Sequence, residues 1–297
     1  MTIVVTGSSG LLGSALVASL RGDGHEVVRL VRREPAGPGE RFWDPREGVL
    51  DPAALEGADA VVHLAGASIG DHRWSESYKR ELVDSRVAGT RTVARALAAL
   101  EGKAPALLSG SAIGFYGDTG DLAVDESAPA GKGFLAGLAD RWEEAAAPAR
   151  DAGLRVVLLR TGVVLSRDGG MLARIVPIFK MGAGATLGSG RQYVSWITLP
   201  DWVAAVRFLL AHEEVSGPVN VTAPEPVTNA EYTATLAKAL HRPTMPVSAP
   251  RFALRLALGE FVEEAVLAGQ RVLPRRLLDA GHRFAHPTLG EALTAVL

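Results

Sequence analysis

Thr2-Ile3-Val4-Val5-Thr6-Gly7-Ser8-Ser9-Gly10-Leu11-Leu12-Gly13 opens the chain, and its reading decides the fold. Thr2–Val5 is short, apolar and β-branched, the make-up of a buried strand. Glycines follow at 7, 10 and 13, and a helix-like pattern runs from there to Gly22. Gly7 permits a tight turn out of the strand, and Gly10 lets backbone N–H groups approach a phosphate. Gly13 lets the helix pack closely on the strand, with its positive end toward the anion. The spacing is G-x-x-G-x-x-G rather than the commoner G-x-G-x-x-G. Between an N-terminal strand and a helix, it reads as the first βαβ unit of a dinucleotide-binding domain rather than a structural turn. Ser9, Leu11 and Leu12 complete the turn that would face the pyrophosphate.

Strand-like runs recur at Val27–Val31, Ala60–Leu64, Ala106–Ser109 and Val156–Arg160. Amphipathic helical patterns lie between them at Trp74–Leu100 and Leu135–Ala152. This alternation predicts an α/β fold, a Rossmann doubly wound parallel sheet with ligands beyond the carboxyl ends of the strands. Beyond Thr161 the pattern loosens into glycine-rich loops, a short helix at Met171–Met181, a helix at Asp201–His212, a strand at Val219–Thr222 and a helix at Asn229–Leu240 capped by Asn229. We divide the chain into a nucleotide-binding domain at 1–165 and a smaller C-terminal substrate lobe at 166–297. Residues 249–297 form a mostly helical end, broken at Pro274, Gly281 and Pro287.

The 297 residues are 47% hydrophobic with a formal net charge of -2. No basic excess points to nucleic acid, and no apolar stretch reaches membrane-spanning length. Cysteine is absent, which excludes disulfides, thiolate metal sites and a cysteine nucleophile. The expected setting is cytoplasmic. The seven histidines show no paired ligand spacing except His282 and His286, which read as surface residues.

The second strand ends in Arg32 and Arg33, about 20 residues past the turn, where a carboxylate would select NAD. An arginine there pairs with a ribose 2′-phosphate. The pair therefore indicates NADP(H), the alternative being two solvated surface arginines. The third strand delivers Leu64, Ala65 and Gly66, small enough for the backbone to pass near adenine and ribose. His63 in that run reads as a strand-end residue bonded to nearby backbone.

These elements, with Val87-Ala88-Gly89-Thr90 and the Ser109–Gly117 strand end, resemble the extended short-chain dehydrogenase/reductases. Trp43-Asp44-Pro45, Ser85-Arg86, Trp142-Glu143, Arg160-Thr161-Gly162-Val163 and Gly269-Gln270-Arg271-Val272-Leu273-Pro274 resemble an atypical, nucleoside-diphosphate-sugar epimerase-like branch with a C-terminal helical domain. The likeness covers essentially the whole chain. It implies a Rossmann fold, NADP(H), and cofactor-facing positions at Glu81, Arg86, Ser109 and Arg160.

One departure stands out. Typical members carry Tyr-x-x-x-Lys on one helix. Here Tyr78, Tyr116, Tyr193 and Tyr232 are followed four residues on by Leu82, Gly120, Ile197 and Leu236. The expected helix carries Phe134, Leu135, Leu138 and Ala139 instead. Ser111 lies where the superfamily places its substrate-polarising hydroxyl, and Tyr116 follows near the nicotinamide end. Ser111 is either that polarising group or a capping serine. Tyr116 is either an acid/base or a packing aromatic. Arg86 is either a replacement for the lysine charge or a surface arginine. The expected function is an NADP(H)-dependent oxidoreductase or epimerase-like enzyme, monomer or homodimer, acting on a small polar, sugar-nucleotide-like molecule. The alternative is an NADP(H)-binding regulator or sensor with little turnover.

Overall fold

The computed structural model describes residues 1–102 and 104–297, with Leu258 described by its backbone alone. Strands β1 (Thr2–Thr6), β2 (Glu26–Val31), β3 (Glu40–Phe42), β4 (Ala60–His63) and β5 (Ala106–Ala112) are followed by β6 (Ala123–Val124), β7 (Val156–Thr161), β8 (Val163–Leu165), β9 (Tyr193–Val194), β10 (Trp196–Thr198), β11 (Gly217–Val221), β12 (Val227–Thr228) and β13 (Arg271–Val272). Seven of them form the main sheet in the order β11-β7-β5-β4-β1-β2-β3. β1 pairs in parallel with both β2 and β4, and the chain turns from one side of β1 to the other between β3 and β4. That reversal makes the β1 and β4 carboxyl ends the switch point where α/β sheets bind ligands.

Two compact units emerge. The first comprises 1–111, 138–159 and 206–219; the second comprises 112–137, 160–205 and 220–297. In the first, helices α1 (Leu11–Gly22) and α2 (Glu76–Ala98) flank the sheet. α1 buries Gly13, Leu16, Val17 and Leu20, a stripe at three- and four-residue spacing. α2 starts at Ser75, whose hydroxyl accepts from the Tyr78 N–H, and turns Leu82, Arg86, Val93 and Leu97 inward. The core joins Val4, Leu30, Trp43, Val61, Leu97, Leu107 and Leu158.

Three local readings differ from expectation. The single helix expected over Leu135–Ala152 is two, α3 (Phe134–Glu144) and α4 (Ala147–Asp151). Pro148 lacks an N–H, so it starts a helix rather than continuing one. β3 had no sequence expectation because it is three mostly polar residues. The helix near 229 is capped by Thr228, not Asn229. Thr228 and Glu231 exchange bonds in a capping box, and the Asn229 side-chain oxygen Oδ1 accepts from the Leu187 N–H instead.

The second unit is built from small strand pairs, β8 with β10, β9 with β12 and β6 with β13. Helices α5 (Gly170–Lys180), α6 (Leu199–Ala211) and α7 (Asn229–Ala239) precede the C-terminal helices α8 (Arg251–Leu258), α9 (Phe261–Ala265), α10 (Arg275–Asp279) and α11 (Leu289–Val296). Leu165, Leu172, Phe179, Trp196, Leu236 and Leu293 form its core. Among the described residues, no helix is long and apolar enough to cross a membrane.

Candidate functional site

The glycine turn is sterically fixed. Gly7 has φ +64, and a Cβ there would lie 2.7 Å from the Leu64 carbonyl carbon. A Cβ on Gly13 would lie 2.2 Å from the Gly7 oxygen, so the helix meets the strand only through glycine. α1 begins at Gly10 with no side-chain cap. No side chain caps its first turn, the arrangement in which a helix N-terminus suits an anion.

Thr6 pins the two strand ends together. Its Oγ1 accepts from the Leu64 N–H (3.0 Å) and the Ala65 N–H (3.2 Å), and it lies 2.8 Å from His63 Nδ1. With both lone pairs used, the Thr6 hydroxyl donates to Nδ1, and the ring proton resides on Nε2. His63 thus bonds a side chain, not the backbone expected from the sequence. Burial pushes its pKa down to about 4, so it is neutral at physiological pH.

Gly7–Gly10, Arg32, Arg33, Leu64–Gly66 and Glu81 line one groove of about 1270 Å³ within the first unit. Arg29, Arg46, Arg80 and Arg91 line it too, against only Glu81 and Asp84, which gives its wall a cationic excess. Arg33 is no free surface arginine. Both its terminal nitrogens donate to Glu40, at 2.7 Å each, and Arg29 donates to the same carboxylate at 2.6 Å. Glu40 itself is buried, and the Arg33 bond first, then the Ala36 N–H, holds its pKa down at about 2. Sequence reading missed Glu40, since a lone glutamate in a polar run looks solvated.

Leu11, Leu12, Gly13, Arg86 and Ser109 do not line this groove. Arg86 is buried on α2, donates to the Leu82 carbonyl (3.1 Å) and lies 5.0 Å from the centre of the Trp142 ring. Burial pulls its pKa down to about 10, leaving it charged at neutral pH. The surface alternative for Arg86 therefore fails. Ser109 is fully buried in β5.

Ser111 closes the first unit at the end of β5. Its hydroxyl donates to Glu143 Oε1 at 2.6 Å, and both residues are buried. The neighbouring Trp142 presses on Gly110, where a Cβ would lie 2.9 Å from the ring, and its N–H donates to Thr90. The pair is thereby held between strand and helix. The partner of the Ser111 hydroxyl is a carboxylate 32 residues away.

In the second unit Tyr116 is buried, donates to Asn220 Oδ1 (2.7 Å) and accepts from Arg160 (2.9 Å). The Arg160 guanidinium lies 3.5 Å from the Phe115 ring centre. Asn220 is held in turn, its backbone N–H donating to Glu126 and its amide to the Leu273 carbonyl. Burial raises the Tyr116 pKa and Arg160 opposes the rise; the net shift is upward. The phenol is therefore protonated at neutral pH. His282 and His286, read as surface residues, are otherwise placed. His282 is buried, and His286 Nδ1 lies 3.0 Å from the buried Asp201 carboxylate.

The model of the NAD dependent epimerase/dehydratase family matches residues 3–222, and that of a domain of unknown function, DUF1731, matches 249–296. Epimerase family protein Mb2239 of Mycobacterium bovis is 51% identical over 291 residues, covering 98% of this chain and 96% of its own. The crystal structure of human epimerase family protein SDR39U1 (isoform 2) with NADPH has a TM-score of 0.91 at 33% identity, covering 100% and 99% of the two chains. That of the nucleoside-diphosphate sugar epimerase from Corynebacterium glutamicum has a TM-score of 0.82 at 38% identity, covering 100% of this chain and 58% of the other.

Proposed function

The chain belongs to the NAD dependent epimerase/dehydratase family, and from that premise we propose that it is an NADP(H)-dependent oxidoreductase or epimerase-like enzyme. One observation carries the reading: an uncapped helix N-terminus beneath a glycine turn that opens on an arginine-walled groove. These residues fit a dinucleotide. Gly7, Ser9, Gly10 and the start of α1, with Leu11, Leu12 and Gly13 behind them, would hold the pyrophosphate. Arg32 and Arg33 would hold the 2′-phosphate, Arg33 being aimed by Glu40. Leu64–Gly66 and Glu81 would border the adenosine. Crystallisation of the human relative with NADPH supports the choice of nucleotide.

A bound NADP(H) would supply hydride transfer at the reacting carbon. The protein handles the proton. In the direction of alcohol oxidation, the substrate hydroxyl donates to Ser111 Oγ as the Ser111 proton passes to Glu143; reduction runs the path backward. Tyr116, protonated at neutral pH, is the second proton-bearing group. Arg160 on its oxygen supplies a cation like that of the absent lysine, and Arg86 and Ser109 set the framework around α2 and β5.

Stopped assays with NADPH across carbonyl substrates, run on Ser111→Ala, Glu143→Gln and Tyr116→Phe, test this assignment. Turnover should fall in the first two with NADPH affinity kept. The apolar Leu135 and Ala139, where the superfamily keeps its dyad, favour a second reading, an NADP(H)-binding regulator. Wild-type protein that binds NADPH yet turns over no carbonyl or alcohol would select it.

A further inference from the structure

The buried charges of the first unit are not compensated alike. Glu40 is held by Arg29, Arg33 and the Ala36 N–H, and Glu143 by the Ser111 hydroxyl. Arg86 is 8% exposed, yet its guanidinium meets only the neutral Leu82 carbonyl, through Nη1, and the face of Trp142. Among the described residues no carboxylate pairs with it, and Nε and Nη2 donate to nothing. Burial lowers its pKa, opposed by Tyr78 and by no acid. A carbonyl and a ring quadrupole fall short of a counter-ion, so a buried cation left in this way costs stability.

This charge is open toward the groove. Nε and Nη2 are not among the sealed, partnerless atoms, as His63 Nε2 is, so they keep accessible surface. Gly66 lines the groove, and a Cβ on it would lie 3.4 Å from Arg86 Cγ, 3.6 Å from Cζ and 3.7 Å from Nη1. Glycine at this point leaves the guanidinium uncovered, where any other residue would screen it. Trp142 joins Arg86 to the proton path. Its ring lies 5.0 Å from the guanidinium and presses on Gly110, which precedes Ser111, while Glu143 follows it in the chain.

We propose that Arg86 receives a carboxylate of the substrate, which makes the accepted class small hydroxy or keto acids. The role of the acid as substrate rests on the oxidoreductase reading; its binding at Arg86 does not. A planar guanidinium grips a carboxylate with two parallel N–H···O bonds, and Nε and Nη2 form the edge left open for them. The phosphates of a nucleotide would be seated elsewhere, at the uncapped start of α1 and at Arg32 and Arg33. The proposal departs from the sugar-nucleotide-like substrate that the family resemblance implies.

Calorimetric titration of the full-length, NADPH-loaded protein with oxamate, the amide analogue of a keto acid, reads the site without requiring turnover. Saturable binding is expected, with UDP-glucose in excess leaving it unchanged. Oxamide, similar in shape but uncharged, should bind about tenfold more weakly or worse. Arg86→Met should weaken oxamate by a similar factor and leave the Kd for NADPH unchanged. That variant should melt no lower than wild type, because an apolar chain removes the cost of an unpaired buried cation. An arginine that serves the fold alone would lower the melt. Arg86→Lys keeps the charge but loses the fork, and its affinity should fall between the two. No saturable oxamate binding, equal binding of oxamide, a lysine variant no better than methionine, a lower melt of Arg86→Met, or displacement by UDP-glucose would overturn the proposal. So would a loss of NADPH affinity in Arg86→Met, which would assign the cation to the nucleotide. Oxamate binding that persists in a protein unable to bind NADPH sinks the cofactor reading alone.

Discussion

The groove of the first unit and the cavity of the second are built on opposite principles. The groove is made of backbone and charge: two glycines, Gly7 and Gly13, where a side chain would collide with the main chain, an uncapped helix and a wall of arginines. The second unit's pocket, of about 210 Å³, is made of side-chain volume, and among the described residues no charged one lines it. Backbone sites tolerate no substitution at the closest approaches, whereas side-chain sites can be reshaped one residue at a time. The difference teaches where substitution is forbidden and where it is tolerated.

The largest expected effect comes from breaking the groove at its backbone. Gly13→Ala places a Cβ against the Gly7 carbonyl, with no flexible side chain to yield. We expect a loss of about 3 kcal/mol in stability and no NADPH binding detectable by fluorescence. A variant that folds and binds normally would mean that the turn is looser than drawn.

Next comes the proton path. Ser111→Ala and Glu143→Gln should each lower kcat by roughly 10² to 10⁴ while leaving the Kd for NADPH unchanged, as read by steady-state kinetics beside a binding titration. Tyr116→Phe keeps the ring and the Phe115–Arg160 stack; a similar fall assigns it a proton, and wild-type kcat assigns it to packing.

His63 gives an effect on stability alone. Its pKa is about 4 folded against about 6.5 unfolded. The unfolded chain therefore binds the extra proton between those values, and stability falls as pH drops through that window. The contribution is complete above pH 6.5 and amounts to about 3 kcal/mol lost by pH 4. Urea melts of wild type and His63→Gln should diverge in that sense. The loss from Glu40, whose pKa is lowered, begins only below its unfolded value and continues toward about 2. The smallest effect should come from α3. Leu135→Met and Ala139→Ser should leave kcat within about twofold if the helix carries no proton, which paired assays can check.

What could be read from the sequence follows from the same contrast. The glycine turn was legible because its cause is local: strand, turn and helix are adjacent in sequence, and Gly7 and Gly13 answer main-chain constraints. The positions of the main strands along the chain followed from their apolar runs. β3 and Glu40 were not legible, because a buried glutamate makes sense only once Arg29 and Arg33 are folded beside it. Ser111 was visible by position, but its partner Glu143 is 32 residues away on a helix read for its missing Tyr and Lys rather than for that carboxylate. The cavity was invisible, for its walls come from residues between 113 and 270 that share no periodicity.

The most direct test of the account is the nucleotide preference of the groove. Intrinsic-fluorescence titration should show NADPH binding at least tenfold more tightly than NADH to the wild-type chain. Arg32→Asp, exposed and free to change without disturbing Glu40, should erase or reverse that preference, since a charge-assisted contact to phosphate is worth about 1.5–3 kcal/mol. Equal affinities of the wild type for the two nucleotides would contradict the account at its centre.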